Sequence, residues 1–159
     1  MRRVIIHWTA GTHVANTLDR KDYHYIIEGS GKIVPGIYSI SDNESTADGK
    51  YAAHTYHCNT GSIGISLAGM AGAIQGKTNG KYPLNEVQFN VLAELVAKLI
   101  KQYQIPLTDK TVLTHAEVQP NLGITQKGKW DIAVIPFKPE LKGPKACGDY
   151  IRNLIKEKM

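Results

Sequence analysis

The sequence predicts a single α/β domain in which a central mixed β-sheet is flanked by helices. The chain has 159 residues, which suits one domain of ordinary size. Its 42% hydrophobic content and 15 glycines are typical of a globular protein rather than a disordered chain. Short β-rich apolar runs alternate with segments of helical period, and no linker or internal repeat separates them. One domain over residues 1–159 is therefore expected.

The first three strands are predicted from short apolar runs next to turn residues. Residues 3–8, RVIIHW, form an apolar run that ends before Gly11 and Thr12, which predicts a buried strand. Residues 23–28, YHYIIE, are β-rich, and the turn sequence GSGK joins them to IVPG at 33–36. This order predicts a β-hairpin.

The middle of the chain is predicted to contain one core strand between two loops. Residues 39–50 are polar and predict a loop. Residues 61–69, GSIGISLAG, alternate small and apolar residues, which predicts a core strand whose glycines allow close approach of another part of the chain. A glycine-rich loop follows at 69–81.

The clearest predicted helix begins near Asn85. Asn85 and Gln88 have the spacing of a capping box, and Pro106 stops the helical pattern. The apolar residues that follow Asn85 recur at the helical period and predict one buried stripe. They are Val87, Val91, Leu92, Leu95, Val96, Leu99 and Ile100.

The last third is predicted to hold a strand, a long loop and a terminal helix. Residues 111–115, TVLTH, predict a short strand, and residues 119–128 predict a loop because they contain Pro120, Gly123 and Gly128. Residues 147–159 predict an amphipathic helix with apolar residues facing inward. These inward residues are Ile151, Leu154 and Ile155.

Charge and cysteine usage narrow the possible partners. The net charge of +5 and pI of about 9.1 favour polyanions such as an anionic cell wall. The lysines are dispersed, with no arginine-rich helix, which argues against nucleic-acid binding.

No segment resembles a bilayer span or a signal peptide, so synthesis in a cytoplasm without stable membrane insertion is expected. Cys58 and Cys147 are expected to be two buried free thiols.

Two of the six histidines stand at the ends of predicted strands, just before the chain turns. They are His7 in VIIHWTAG and His115 in VLTHAEV. Strand ends present side chains to clefts, and a catalytic Zn²⁺ takes three protein ligands with one open position. Two histidines and one carboxylate would make such a set. Spacing alone leaves the carboxylate open among Asp109, Glu117, Asp131 and Asp149.

Six segments, in order, give the chain a resemblance to a known family. The segments are VIIHWTAGT (4–12), DYHYIIEGSGKIVPG (22–36), AAHTYHCNTGSIGISLAG (52–69), LNEVQ (84–88), LTHAEV (113–118) and KGKWD (127–131). Taken together they resemble the zinc-dependent N-acetylmuramoyl-L-alanine amidases, the amidase type 2 or peptidoglycan recognition protein family, and within it the phage endolysins of the lysozyme-type amidase group.

The resemblance implies roles for individual residues. It implies a site for one Zn²⁺ per chain formed by His7, His115 and Asp131. It also implies that Lys129 stabilises the oxyanion and that Tyr23 contacts the attacking water or the intermediate. His54 falls where the family has a histidine in the substrate groove, and the polar residues Asn59, Thr60 and Ser62 could bind sugar or peptide.

Residues near these positions have two possible roles each. Glu117 could orient a metal ligand or be solvated, and Trp8 and Trp130 could shield the metal or pack in the core. His24 follows Tyr23 and faces the other way on a strand, so a structural role is expected. His13 and His57 are expected in loops near the cleft.

The implied activity is hydrolysis of the amide bond between N-acetylmuramic acid and L-alanine in bacterial peptidoglycan. A monomeric phage or prophage endolysin is expected, made in the host cytoplasm without a separate wall-binding domain and released to act on the cell wall. The alternatives are a cytosolic muropeptide-recycling amidase and a non-catalytic peptidoglycan-binding module. A regulatory contact with a polymerase, as some phage relatives make, is neither favoured nor excluded by these residues.

The chain departs from the family pattern in two places. The helix between the first two strands is expected to be nearly absent, because only residues 12–21 separate them, and one groove wall should then be reduced. After Asp131 the sequence continues as IAVIPF, where many family members have Pro-Gly.

Overall fold

The computed structural model describes residues 1–159 and has the predicted α/β architecture: one five-stranded mixed sheet with helices packed against it. The strands are β1 (Arg3–Trp8), β2 (Tyr25–Ile27), β3 (Ile33–Pro35), β4 (Ser62–Leu67) and β5 (Val112–Thr114). The helices are α1 (Thr17–Asp22), α2 (Glu86–Gln102), α3 (His115–Leu122) and α4 (Pro144–Glu157). All five strands lie in the segments where the sequence predicts them.

The sheet has the strand order β3-β2-β4-β1-β5. β2 and β3 form the predicted antiparallel hairpin, whereas β1 is parallel to both β4 and β5. In this register His7 is paired with Ser66 and Ile6 with Thr114. Because parallel strands end at the same edge of the sheet, the side chains that follow β1 and β5 meet there.

The main core lies between the sheet and helices α2 and α4. Apolar residues of β1 and β4 pack against these two helices in one buried cluster. The capping box at Asn85 and Gln88 is present, as predicted. Val87 does not belong to the buried stripe: its side chain is 51% exposed, because it lies in the first turn of α2, while Phe89 and Leu92 face the sheet.

The opposite face of the sheet carries a smaller apolar cluster and the candidate site. Ile5 and Leu113 pack there with Val118 of α3 and with Cys58. Side chains alternate along a strand, so His7 lies on the same face as Ile5. The site is thus on the side of the sheet away from the main core.

Three local elements differ from the sequence prediction. Residues 115–122 form helix α3, where a strand end and a loop were expected. The expectation of a loop was wrong because Thr114 and Glu117 form a capping box that outweighs Pro120, and Gly123 ends the helix at φ 73°. The helix between β1 and β2, expected to be nearly absent, spans six residues, and residues 40–43 form a turn of 3₁₀ helix inside the predicted polar loop.

The predictions about the cysteines and the terminal helix agree with the structure in most respects. Cys58 and Cys147 are buried and not bonded to each other. Helix α4 begins at Pro144, three residues before the predicted start, and buries Ile151 and Ile155 while Leu154 is only partly buried. None of the helices has the length and apolar character that crossing a membrane requires.

Candidate metal centre

Three side chains converge at the edge of the sheet where β1 and β5 end. The Nδ1 atoms of His7 and His115 are 3.1 Å apart. The two carboxylate oxygens of Asp131 lie 3.3 Å from these nitrogens, one on each histidine. The side chains are almost inaccessible, with exposures of 1% for His7, 6% for His115 and 7% for Asp131. The structure therefore brings together the three residues that the family resemblance names.

The backbone explains why these residues meet. His7 is the fifth residue of β1, and His115 is the first residue of α3, directly after β5. Asp131 returns to the same place because its carbonyl oxygen accepts a 2.6 Å hydrogen bond from the amide of Ala116. This bond ties the segment after the α3 loop to the start of α3, beside His115.

Gln126 holds the ring of His115 and was missed by the sequence analysis. The Nε2–H of His115 donates to Oε1 of Gln126 over 2.7 Å, and the Gln126 amide donates to the carbonyl oxygen of Tyr56, also over 2.7 Å. A proton on Nε2 leaves the lone pair of Nδ1 free for a metal. The only available signal was a polar residue in a Gly-containing loop, which many sequences have.

His7 has a comparable set of partners on its other ring nitrogen. Its Nε2 lies 3.1 Å from Nδ1 of His54 and 3.3 Å from Oγ1 of Thr55. The Nε2–H of His54 donates to the carbonyl oxygen of Ser62 over 3.3 Å, so Nδ1 of His54 is an acceptor. His7 is therefore protonated on Nε2, and its Nδ1 faces His115 with a free lone pair.

Burial keeps the imidazoles of His7 and His54 neutral at neutral pH. Burial lowers the pKa of His7 to about 4, and the raising effect of Asp131 offsets it only in part. Burial and the nearby His7 lower the pKa of His54 well below its usual value. For Asp131, burial opposes ionisation, but the contacts with His115 and His7 outweigh it and lower the pKa to about 2. At neutral pH the ionised carboxylate of Asp131 therefore lies beside the neutral imidazole of His7.

The donor set fits a divalent cation such as Zn²⁺. With Nε2 of both rings protonated, two nitrogen lone pairs and a carboxylate point at one small region, and a cation relieves their mutual repulsion. The ligand atoms of all three residues lie within 4.8 Å of one another. Nothing in the donor chemistry conflicts with the metal that the family resemblance implies.

His115 and Asp131 line a cleft of about 720 Å³, and His7 is buried next to them. Tyr23 and Lys129 also line this cleft. The ring of Tyr23 is 5.2 Å from that of His7, and burial together with the charge of Asp131 raises the pKa of its hydroxyl. Tyr23 thus keeps its proton at neutral pH and can donate a hydrogen bond. Lys129 is exposed to solvent and close enough to His7 to add to the effect of burial in lowering the His7 pKa.

The predicted substrate residues are only partly brought to this cleft. His54 and Asn59 line it. His54 fits beneath the sheet because residue 64 is glycine: a Cβ there would be 2.5 Å from two carbons of the His54 ring. Asn59 accepts hydrogen bonds from the backbone amides of His54 and Thr55, so its side chain also shapes the loop.

Thr60 and Ser62 are not brought to the cleft. The hydroxyl of Thr60 lies 2.9 Å from that of Thr46, in a separate surface pocket. Ser62 is buried and accepts a hydrogen bond from Arg3. His24 has the expected structural role, since it donates to Asn43 and accepts from the amide of Gly64.

Glu117 has neither of the two roles expected for it. It is 2% exposed and forms a two-pronged ion pair with Arg152 of α4, at 2.9 and 2.8 Å. It also accepts a hydrogen bond from the amide of Thr114, which completes the cap of α3. Glu117 therefore fixes the helix that carries His115 and does not contact the histidine ring.

Trp8 and Trp130 combine the two roles that the sequence left open. Their rings meet edge to face, with centroids 4.7 Å apart. Trp8 is buried in the main core, Trp130 packs against that core, and both line the cleft. They join the floor of the cleft to the hydrophobic core.

Comparison with known proteins gives a consistent picture. A family model described as N-acetylmuramoyl-L-alanine amidase matches residues 1–132. No curated protein sequence matches the chain significantly.

Similar solved structures include two amidases and an endolysin. The Ph2119 endolysin from Thermus scotoductus MAT2119 bacteriophage Ph2119 has a TM-score of 0.56 and 15% identity, over 97% of this chain and 84% of that one. The amidase LysC from Clostridium intestinale URNW has a TM-score of 0.53 and 15% identity, over 86% and 80%. At these identities the likeness concerns the fold.

The third structure is the amidase AmiD from E. coli, solved with anhydro-N-acetylmuramic acid-L-Ala-D-γ-Glu-L-Lys. Its TM-score is 0.52 and its identity 22%, over 73% of this chain. The match spans only 48% of the AmiD chain, so the two proteins share a domain and not their full extent.

Proposed function

Because the chain belongs to the N-acetylmuramoyl-L-alanine amidase family, we propose that it hydrolyses the amide bond between N-acetylmuramic acid and L-alanine in peptidoglycan with the help of one Zn²⁺. The observation that carries this proposal is the buried convergence of His7, His115 and Asp131 beside a cleft that His115 and Asp131 line. These residues would hold the metal, and the cleft would hold the substrate.

The site residues suit amide hydrolysis. A bound Zn²⁺ supplies a Lewis acid that lowers the pKa of water toward about 7 and polarises a carbonyl group. Lys129 supplies a positive charge at the cleft for the oxyanion of the tetrahedral intermediate. Tyr23, held protonated by its surroundings, donates a hydrogen bond to the same intermediate.

The residues around the ligands set their orientation and exclude water. Gln126 keeps the proton of His115 on Nε2, and His54 and Thr55 do the same for His7. The tryptophan pair closes the floor on the core side. Removal of a positioned oxyanion donor such as Lys129 is expected to raise the barrier by about 3 kcal/mol.

We propose further that the protein acts as a monomeric phage or prophage endolysin. The net charge of +5 supports this role, since it would attract the protein to an anionic cell envelope. The same residues would serve a cytosolic recycling amidase. A non-catalytic binding module is less well supported, because three metal-ligand candidates and Lys129 are all present.

Metal analysis joined to product analysis tests the proposal. One zinc per chain and the release of new L-alanine amino termini from purified peptidoglycan are expected. Separate His115→Ala and Asp131→Ala variants should lose both zinc and activity. A variant that keeps full zinc content and full hydrolysis would remove that residue from the site.

A comparison of substrates separates the two enzymatic roles. The wild-type enzyme should release fragments from intact sacculi at a rate comparable to its turnover of soluble anhydro-muropeptides. Cleavage of the soluble substrate alone would overturn the endolysin role and leave the amidase activity in place.

A further inference from the structure

A second groove adjoins the cleft and has no role in the function proposed above. Its volume is about 790 Å³, a size common for ligand sites. It is continuous with the cleft because Gly128, Lys129 and Trp130 line both. A molecule that leaves the metal centre past Lys129 would enter this groove.

Two hydrogen-bonded loops build the groove. In the first, the backbones of Ile74 and Thr78 bond to each other in both directions, at 2.9 and 3.0 Å. This closes a tight turn that presents Lys77. In the second, Val134 and Lys142 form an antiparallel bridge, and the amide of Gly143 donates to the carbonyl oxygen of Ala133 over 3.1 Å. Both lysines are thus carried by closed loops with defined backbones.

The second loop lies outside the part of the chain that matches the family. The family model ends at residue 132, whereas this wall of the groove is formed by residues 133–144. This wall therefore lies in the sequence after Asp131, where IAVIPF departs from the pattern expected of the family, whereas the opposite wall lies within the matched part.

The charge of the groove has one sign. Its ionisable lining residues are Lys77, Lys129 and Lys142, and no aspartate or glutamate lines it. None of the three lysines forms a salt bridge within the protein. Between the lysines, the lining is largely apolar, with Trp130 and Ile135 among its residues. Such a surface fits a ligand that carries carboxylates on an otherwise apolar or neutral chain.

We propose that this groove binds the peptide part of the substrate through its carboxylates, an inference that rests on the proposed amidase function. On one side of the scissile bond the substrate is a neutral sugar, because the muramic acid carboxyl group is already in the amide. On the other side, a stem peptide linked through the γ-carboxyl of D-glutamate keeps a free α-carboxylate, and the peptide ends in a second carboxylate. Only this second part complements Lys77 and Lys142. The sugar is then left to the Tyr23 and His54 side of the cleft.

Binding of the uncleavable peptide L-Ala-γ-D-Glu-L-Lys to the zinc-loaded protein tests the proposal by calorimetry. The double variant Lys77→Met/Lys142→Met should weaken binding by about tenfold, because each exposed lysine–carboxylate contact contributes only a few-fold. The matched control is Lys98→Met/Lys101→Met, which removes two charges at exposed positions of α2 and should leave binding unchanged. Thermal unfolding checks that each variant folds.

A second peptide tests the role of the α-carboxylate. The wild-type protein should bind L-Ala-D-isoglutamine-L-Lys, in which that carboxylate is an amide, more weakly than the acid form, and the double variant should lose this preference. Equal binding by the wild-type protein and the double variant would overturn the groove proposal.

Hydrolysis of N-acetylmuramoyl-L-Ala-γ-D-Glu-L-Lys separates the two proposals. If the double variant hydrolyses this substrate with the same KM as the wild-type protein, the groove proposal is overturned and the amidase proposal stands. If the wild-type protein binds the peptide through the two lysines but hydrolyses no substrate, the groove proposal stands and the amidase proposal is overturned.

Discussion

At the residue scale, the centre depends on which ring nitrogen of each histidine carries the proton. Gln126 accepts a hydrogen bond from Nε2 of His115, and His54 accepts one from Nε2 of His7. The Nδ1 atoms of His7 and His115 are therefore free and point at Asp131. The sequence could predict the two histidines from their place at strand ends. It could not choose Asp131 without the family resemblance, because the hydrogen bond from Ala116 that brings Asp131 back is a long-range contact.

The Gln126→Leu substitution should weaken zinc binding by about 10–100-fold. It removes the acceptor for the His115 Nε2–H and the donor to the Tyr56 carbonyl, so the ring is no longer held in one orientation. Competition with a chromogenic chelator gives the zinc Kd. Gln102→Leu, an exposed position at the end of α2, is the matched control and should bind zinc as the wild type does. Equal Kd values for both variants would exclude the orienting role.

Metal-free protein should lose stability as the pH falls from about 6.5 to about 4. The pKa of His7 is about 4 in the folded state and 6.5 in the unfolded chain, so the unfolded chain binds more protons in this window. The free energy of unfolding then rises with pH up to about 6.5, and this residue contributes on the order of 3 kcal/mol. Urea unfolding at several pH values measures the slope. His7→Gln should make the slope smaller without abolishing it, because the lowered pKa of His54 contributes in the same direction. An unchanged slope in His7→Gln would contradict the contribution of His7.

At the element scale, strand β5 and helix α3 form a single unit that carries His115. Glu117 caps the helix, and Arg152 of α4 neutralises Glu117 while also donating to the carbonyl oxygen of Val112 in β5. The strand was predictable from its apolar run. The helix was not predicted because Pro120 and the weak apolar period argue against it, although Thr114 and Glu117 have the spacing of a capping box.

Arg152→Ala should lower the free energy of unfolding by about 3–5 kcal/mol. The substitution leaves the buried carboxylate of Glu117 without its partner, next to the turn that holds His115. Urea unfolding measures the loss. Lys145→Ala breaks an ion pair on the same helix with a fully exposed lysine and should cause little change. A small effect of Arg152→Ala would contradict the view that this pair anchors α4 to the metal-bearing helix.

At the scale of the whole molecule, the proposed metal would join residue 7 to residue 131. The α/β class, all five strands and the two long helices follow from local pattern, since each has a clear apolar period or turn signal. The groove beside the cleft does not follow from local pattern. Its walls come from residues 74–79 and 133–144, which are far apart in the sequence, and neither segment by itself indicates that the two lie together.

Zinc at about 100 times its Kd should stabilise the folded protein by about 2.7 kcal/mol. For a domain of this size, that corresponds to a rise in Tm of roughly 5–10 °C. Differential scanning calorimetry with and without zinc measures the shift, and a chelator should reverse it. The Asp131→Ala variant should show almost no shift. An equal shift in that variant would mean that zinc stabilises the protein from another place.

The edge-to-face contact of Trp8 and Trp130 gives the protein an optical property. The chain has only these two tryptophans, and their rings lie 4.7 Å apart at the floor of the cleft. All tryptophan absorption and emission therefore originates beside the candidate centre, and the two indoles are close enough for their transitions to couple. Circular dichroism of the indole bands would then report the packing of the centre in the unmodified protein, without an added label.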